Sequence, residues 1–182
     1  MGDEVWYATI VGVILLSGLS IFYILYLAKM RRTKTNAAWK QAATELELDF
    51  TPVTRIFGEY RMSGVIGKQL SCSVWAYTKP DNRGGYTTVM NYDVRFPQRL
   101  NNVKELLTPN IQSKLLEVNN VLKKVVVSDD SVNSIGMHGF IRKSEILVQN
   151  VKLLVQLAEL IIPNEEVDSI FDNDVDSIFE GI

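Results

Sequence analysis

The sequence predicts an α+β fold: an N-terminal transmembrane helix, then a soluble domain in which an antiparallel β-meander is flanked by helices. Three observations predict it. Residues 8–28, ATIVGVILLSGLSIFYILYLA, carry no charge. Residues 59–96 alternate apolar and polar side chains around two turn signals. Residues 141–162 place apolar side chains at helical spacing and stop at Pro163.

The uncharged run of 21 residues is about 31 Å long as a helix, roughly the hydrocarbon thickness of a bilayer. A cleaved signal peptide would carry a basic leader, a shorter core and a small-residue cleavage site. Here the leading flank is acidic, with Asp3 and Glu4, and Lys29, Arg31, Arg32 and Lys34 follow the run. A retained span is therefore expected. Basic residues stay on the cytoplasmic side, so residues 1–7 are expected outside and residues 29–182 in the cytoplasm. Trp6 falls at the outer boundary, and Tyr23 and Tyr26 toward the inner one. Ala8 and Gly12 form a small-xxx-small pair, which leaves room for a homo-oligomer.

The boundaries that follow are a short N-terminal segment (1–7), the span (8–28), a basic juxtamembrane linker (29–35), an α+β domain (36–162) and an acidic tail (163–182). Beyond the span the chain suffices for one core. Cys72 is the only cysteine, so no intrachain disulfide forms. Residues 163–182 hold seven acidic residues and no Lys or Arg, while residues 29–162 hold 19 basic and 12 acidic ones. An acidic tail on a basic body is a pattern of interaction segments and of solubilising termini alike.

Thr35 or Asn36 is expected to cap a helix to about Leu48, with Ala38, Trp39, Ala42, Ala43 and Leu46 as its apolar stripe. Trp39 is expected in the core rather than in lipid. A short strand is expected over 48–53. Strands over 59–66 and 70–78 are joined at Gly67-Lys68. In the second, Leu70, Cys72, Val74 and Ala76 face opposite to Ser71, Ser73, Trp75 and Tyr77. Residues 79–85, KPDNRGG, form the exposed loop, and residues 86–96 the next strand. Thr108 and Pro109 open a helix to about Val118 or beyond. Residues 123–128 and 131–137 pair across Asp129-Asp130, and a helix over 141–162 lays Ile146, Leu147, Val151, Leu154, Val155 and Ala158 across the sheet.

Trp39 with Ala43, Leu46-x-Leu48-x-Phe50, Ser63-Gly64-x-x-Gly67-Lys68, Val125-x-Val127 before Asp129-Asp130 and a closing Leu/Val/Ala helix together resemble uncharacterised bacterial and archaeal domains tethered beside transmembrane helices. The resemblance covers residues 37–162, with a shorter segment between Phe96 and Thr108. It implies α+β architecture and membrane tethering. That group offers no activity to carry over, so no functional residue is transferred.

No catalytic constellation is present, and an enzyme is not expected. His138, the only histidine, sits beside Gly139 in a turn-like setting. Cys72 falls on the apolar face of its strand, where a thiol is inert. Zinc lacks ligands. Asp172-Asn173-Asp174-Val175-Asp176 starts like a calcium loop, but Ser177 stands where glycine is needed and no twelfth-position glutamate follows. Gly64-x-x-Gly67-Lys68 is too short for a P-loop. Basic residues are scattered, so no nucleic acid is expected, and no cofactor.

The tail carries the clearest repetition. VDSIF occurs at 167–171 and again at 175–179. Val167, Ile170, Phe171, Val175, Ile178 and Phe179 would form one apolar face of a helix with acidic residues opposite. Two identical units suggest a bivalent recruitment motif; a helix packed on its own domain is the alternative. The expected role is a single-pass membrane-anchored adaptor that meets the lipid bilayer through its span and a protein partner through its tail. The alternative is an accessory subunit of a larger membrane complex, with the tail docked on its own domain.

Overall fold

The computed structural model describes residues 2–55, 58–82, 84–136 and 141–162. Helix α1 (Gly2–Glu45) is unbroken over 44 residues, about 66 Å at 1.5 Å per residue. It joins what the sequence divides. Residues 29–35, expected as a linker, are helical, and neither Thr35 nor Asn36 opens a new helix. The reason is local. Thr33 Oγ1 and Thr35 Oγ1 donate to Lys29 O and Arg31 O, each at 3.0 Å. A hydroxyl bonded back one turn continues a helix, whereas a cap must bond forward.

Six strands follow in one antiparallel sheet: β1 (Asp49–Thr51), β2 (Tyr60–Ile66), β3 (Leu70–Pro80), β4 (Tyr86–Arg95), β5 (Val125–Val127) and β6 (Ser131–Gly136). Their order is β1-β2-β3-β4-β6-β5. The expected meander is its centre, and the later hairpin docks on β4. The turn between β2 and β3 takes three residues, 67–69, rather than two. Gly67 has φ +56° there, and a Cβ on it would run into the Glu159 carboxylate.

One face of the sheet is covered and the other is not. Met62, Leu70, Cys72, Val74, Met90, Val94 and Val132 are all buried on the covered face. Against them lie the last turns of α1 together with α3 (Pro109–Leu122) and α4 (Ser144–Ile161). A one-turn helix, α2 (Val103–Leu106), precedes α3 and had no sequence signal. Thr108 caps α3 as expected, its side chain accepting from Ile111 N. The helix runs on to Leu122 because Val118 and Leu122 continue its buried stripe. Ser134 Oγ then donates to Leu122 O and Lys123 O, tying the helix end to β6.

α4 begins at Ser144 rather than Ile141. The three residues ahead of it leave Ile141 O to accept the Trp39 indole N–H at 3.3 Å. Within α4 the buried set includes Leu157, which the sequence reading passed over, while Ile146 is exposed. Asn150 is buried with a partner: its Nδ2 donates to the Tyr92 hydroxyl at 2.9 Å. Further along, Lys152 pairs with Glu45. Trp39 thus meets Ile141, and Glu45 meets Lys152, so α4 runs in the same direction as α1. Its end, Ile162, lies at the far end of the domain from the apolar part of α1.

Candidate functional site

Three surfaces have the chemistry to bind something, and the fold places them apart. The first is the uncovered face of the sheet. Strand register sets Arg61, Trp75, Asn91 and Ile135 in one row across it. The next row is Ser63, Ser73, Asp93 and Asn133, and the one after holds Val65, Ser71, Arg95 and Ser131. The short serines beside Trp75 leave two adjoining hollows, of about 360 and 350 Å³. Both are lined by Trp75, Asp93 and Arg95. Arg95 Nε donates to Asp93 Oδ2 at 2.8 Å. That bond, with the Asp93 charge, raises the Arg95 pKa above its ordinary value. At the rim, Ser128 Oγ donates to Asp130 at 2.7 Å and holds that carboxyl below its ordinary pKa. The surface offers donors, acceptors and one ring face. Cys72, the thiol on a neighbouring strand position, points to the other side and is buried, and desolvation pushes its pKa to about 12. Among the described residues, no group of three or more His, Cys, Asp or Glu is arranged to hold a metal ion.

The second surface is a groove of about 820 Å³ at the far end of the domain, between α3 and α4. Leu106, Ile111, Leu160 and Ile162 give it apolar walls, and Lys68, Lys114, Glu105 and Glu159 ring it with both signs of charge. Ile162 is its last wall residue and the point where the tail departs.

The third surface is the junction between α1 and the domain. Arg32 Nη1 donates to Thr54 O. One turn on, the Asn36 amide pairs with both backbone groups of Val53, at 3.0 Å each. The Tyr60 hydroxyl bonds Thr35 and feels the charges of Arg32 and Arg142, yet burial, the larger effect, still raises its pKa. Trp39 is fully buried, with ring centroids 5.5 Å from Tyr60 and 6.3 Å from Phe50. Lipid contact by Trp39 is thereby ruled out, as the sequence reading expected.

Trp6 is 63 % exposed on α1. Lys29, Arg31 and Lys34 are exposed and Arg32 is half-buried. Val167, Ile170, Phe171, Val175, Ile178 and Phe179 lie outside the described residues, as does His138. Sequence reasoning missed the far groove and the Asn36 clasp. The clasp had a faint signal, an asparagine of poor helix propensity on an otherwise strong helix. The groove had none, because its walls come from β2–β3, α2, α3 and α4.

No protein-family model, curated protein or solved structure matches the chain. The likeness to membrane-tethered domains therefore gains no support from these comparisons.

Proposed function

We propose that the protein is a single-pass membrane-anchored adaptor. The anchor is α1, the sheet domain is a platform fixed to it, and the tail recruits a partner. The observation that carries the reading is the division of α1. Every large apolar residue whose side chain is described between Trp6 and Tyr26 is 36–71 % exposed, whereas Trp39, Ala42 and Ala43 of the same helix are core. An apolar surface of that extent is not stable in water and needs lipid or protein around it. By length and composition α1 can cross a membrane. Its polar side chains suit that setting, since Ser20 Oγ is satisfied within the helix by Leu16 O at 2.8 Å.

Orientation follows from Lys29, Arg31, Arg32 and Lys34 on one side of the apolar run. The domain is cytoplasmic in this reading. Protease added to intact cells should leave residues 29–182 whole, and digestion of the domain without lysis would place it outside.

Recruitment is supported by the position of Ile162, the last described residue before the tail, at the end of the domain away from the apolar part of α1. The groove at the same place favours a second reading, in which the VDSIF units rest on their own domain. Replacing Ile170, Phe171, Ile178 and Phe179 together with alanine separates the two. Buried side chains of this size contribute about 1.5–3 kcal/mol each before ordering costs. Recruitment predicts that proteins co-purifying with the intact chain are lost more than tenfold, with an unchanged melting temperature. Self-docking predicts a fall of several degrees and no change in what co-purifies, an outcome that would reject the adaptor role for the tail.

A further inference from the structure

We infer that the end of the domain nearest the apolar run is seated in the headgroup layer of the bilayer, with its arginines and lysines on lipid phosphates. The inference rests on the membrane reading of α1 and adds a contact that the reading does not require. A tethered domain ordinarily hangs on a linker and can stand off the surface. Here α1 is continuous from Gly2 to Glu45, so the domain has no slack. Ala28 is the last residue of the uncharged run. Arg32 is about 6 Å further along the axis and Asn36 about 12 Å. Through Thr54 O and the two Val53 groups, those side chains pin the loop after β1 at that height. The headgroup region adds about 5–8 Å to each side of the hydrocarbon. Thr54, held at the height of Arg32, therefore falls within the headgroup layer and Val53, at the height of Asn36, just above it; tilting of α1 brings one side of the domain lower.

The sheet reaches toward the same plane. Tyr60, beside Thr35 and Trp39, is in register with Ala76 and, through it, with Met90. From there β2 runs to the turn at Gly67, which lies against Glu159 near the end of α4. β3 returns in the opposite direction and passes the level of Tyr60 by four residues, to Pro80 opposite Tyr86. At about 3.3 Å per residue the hairpin extends about 13 Å beyond Tyr60 along the strand, on the side away from the end of α4.

The charge on this end suits phosphate. Arg31, Lys34, Arg55, Lys79 and Arg142 are exposed there, with Arg32 half-buried among them, against two exposed carboxylates, Glu59 and Asp81. A guanidinium has five donors in a fork that matches phosphate oxygens, so the bond from Arg32 to Thr54 O leaves donors for a lipid. The seven acidic residues of the tail are the competing occupant, but the tail departs from the opposite end of the domain.

The test uses the full chain in lipid nanodiscs, either phosphatidylcholine alone or with about one third phosphatidylglycerol, a fraction that gives a strongly anionic surface. A nitroxide is placed at Thr54→Cys, and separately at Leu116→Cys on α3 as a distant control; buried Cys72 is changed to Ala in both. Collisions with a water-soluble nickel chelate report exposure. The expected result is at least threefold fewer collisions at 54 than at 116 in both lipids. In anionic lipid, Arg55→Gln with Arg142→Gln should raise collisions at 54 toward the value at 116, because the headgroups no longer close over the site. Equal collisions at the two positions in chains that co-float with lipid would overturn the contact while leaving the anchor intact. Failure to co-float would overturn both readings. Protection at 54 that persists in lipid-free amphipol and disappears when residues 163–182 are deleted would assign the surface to the tail instead.

Discussion

Replacing Trp39 with alanine should cost about 3–5 kcal/mol, the usual range for a buried aromatic truncated in a core. Trp39 is fully buried. It touches Phe50 and Tyr60 through its ring faces and ties α1 to the segment before α4 through Ile141 O. Alanine removes the packing, opens a cavity at the joint and leaves that carbonyl without its donor. Domains of this size are stable by about 5–15 kcal/mol in total, so the loss is a large share. The melting temperature of the full chain in detergent should fall by roughly 10–20 °C. Trp75→Ala is the control. The same side chain is removed, but from the uncovered, half-buried face of the sheet, and the fall should be a few degrees at most. Equal shifts in the two variants, read by calorimetry, would reject Trp39 as the joint between helix and domain.

The second large effect is alkaline destabilisation. Burial raises the Cys72 thiol from its ordinary 9.0 to about 12, and the Tyr92 hydroxyl from 10.0 to about 12. Both groups are neutral when protonated, so the folded protein holds its protons more tightly than the unfolded chain does. Their contribution is fully present below pH 9, begins to be lost once the unfolded thiol ionises, and is gone above about pH 12. At about 1.36 kcal/mol per tenfold change in proton affinity, the thiol alone accounts for roughly 4 kcal/mol across that window. Denaturant midpoints should therefore drop steeply between pH 9 and 11. Cys72→Ala should flatten the first part of the drop and leave the part due to Tyr92. A midpoint that stays level to pH 11 in the unaltered chain would show that Cys72 is solvated.

How far the sequence could be read depended on whether a pattern was local. Alternation in β3 and β4 was plain, because Cys72 and Val74 against Ser71 and Ser73 leave one choice of core face. The stripe of Trp39, Ala42 and Ala43 was equally plain. The join at residues 29–36 was not. Thr33, Thr35 and Asn36 are residues that cap helices; only the structure shows that the two threonines bond back along the helix and that Asn36 reaches across to Val53 instead. The pairing of β6 with β4 brings Val132 to Val94 across a long separation, and no local pattern announces it. The rows on the uncovered face share that origin: Ser73, Asp93 and Asn133 are each unremarkable in the chain and become neighbours only through register.

An unbroken α1 also phase-locks the domain to the apolar half of that helix. A helix turns about 100° and advances about 1.5 Å with each residue. Adding one residue between Ala28 and Arg32 would swing the Trp75 face a quarter-turn and more around the axis while lifting the domain only slightly. Seven added residues would restore the bearing to within about 20°, at the expense of about 10 Å of height. Rotation of the apolar half of α1 would likewise be passed on to the sheet, as through a drive shaft rather than a rope.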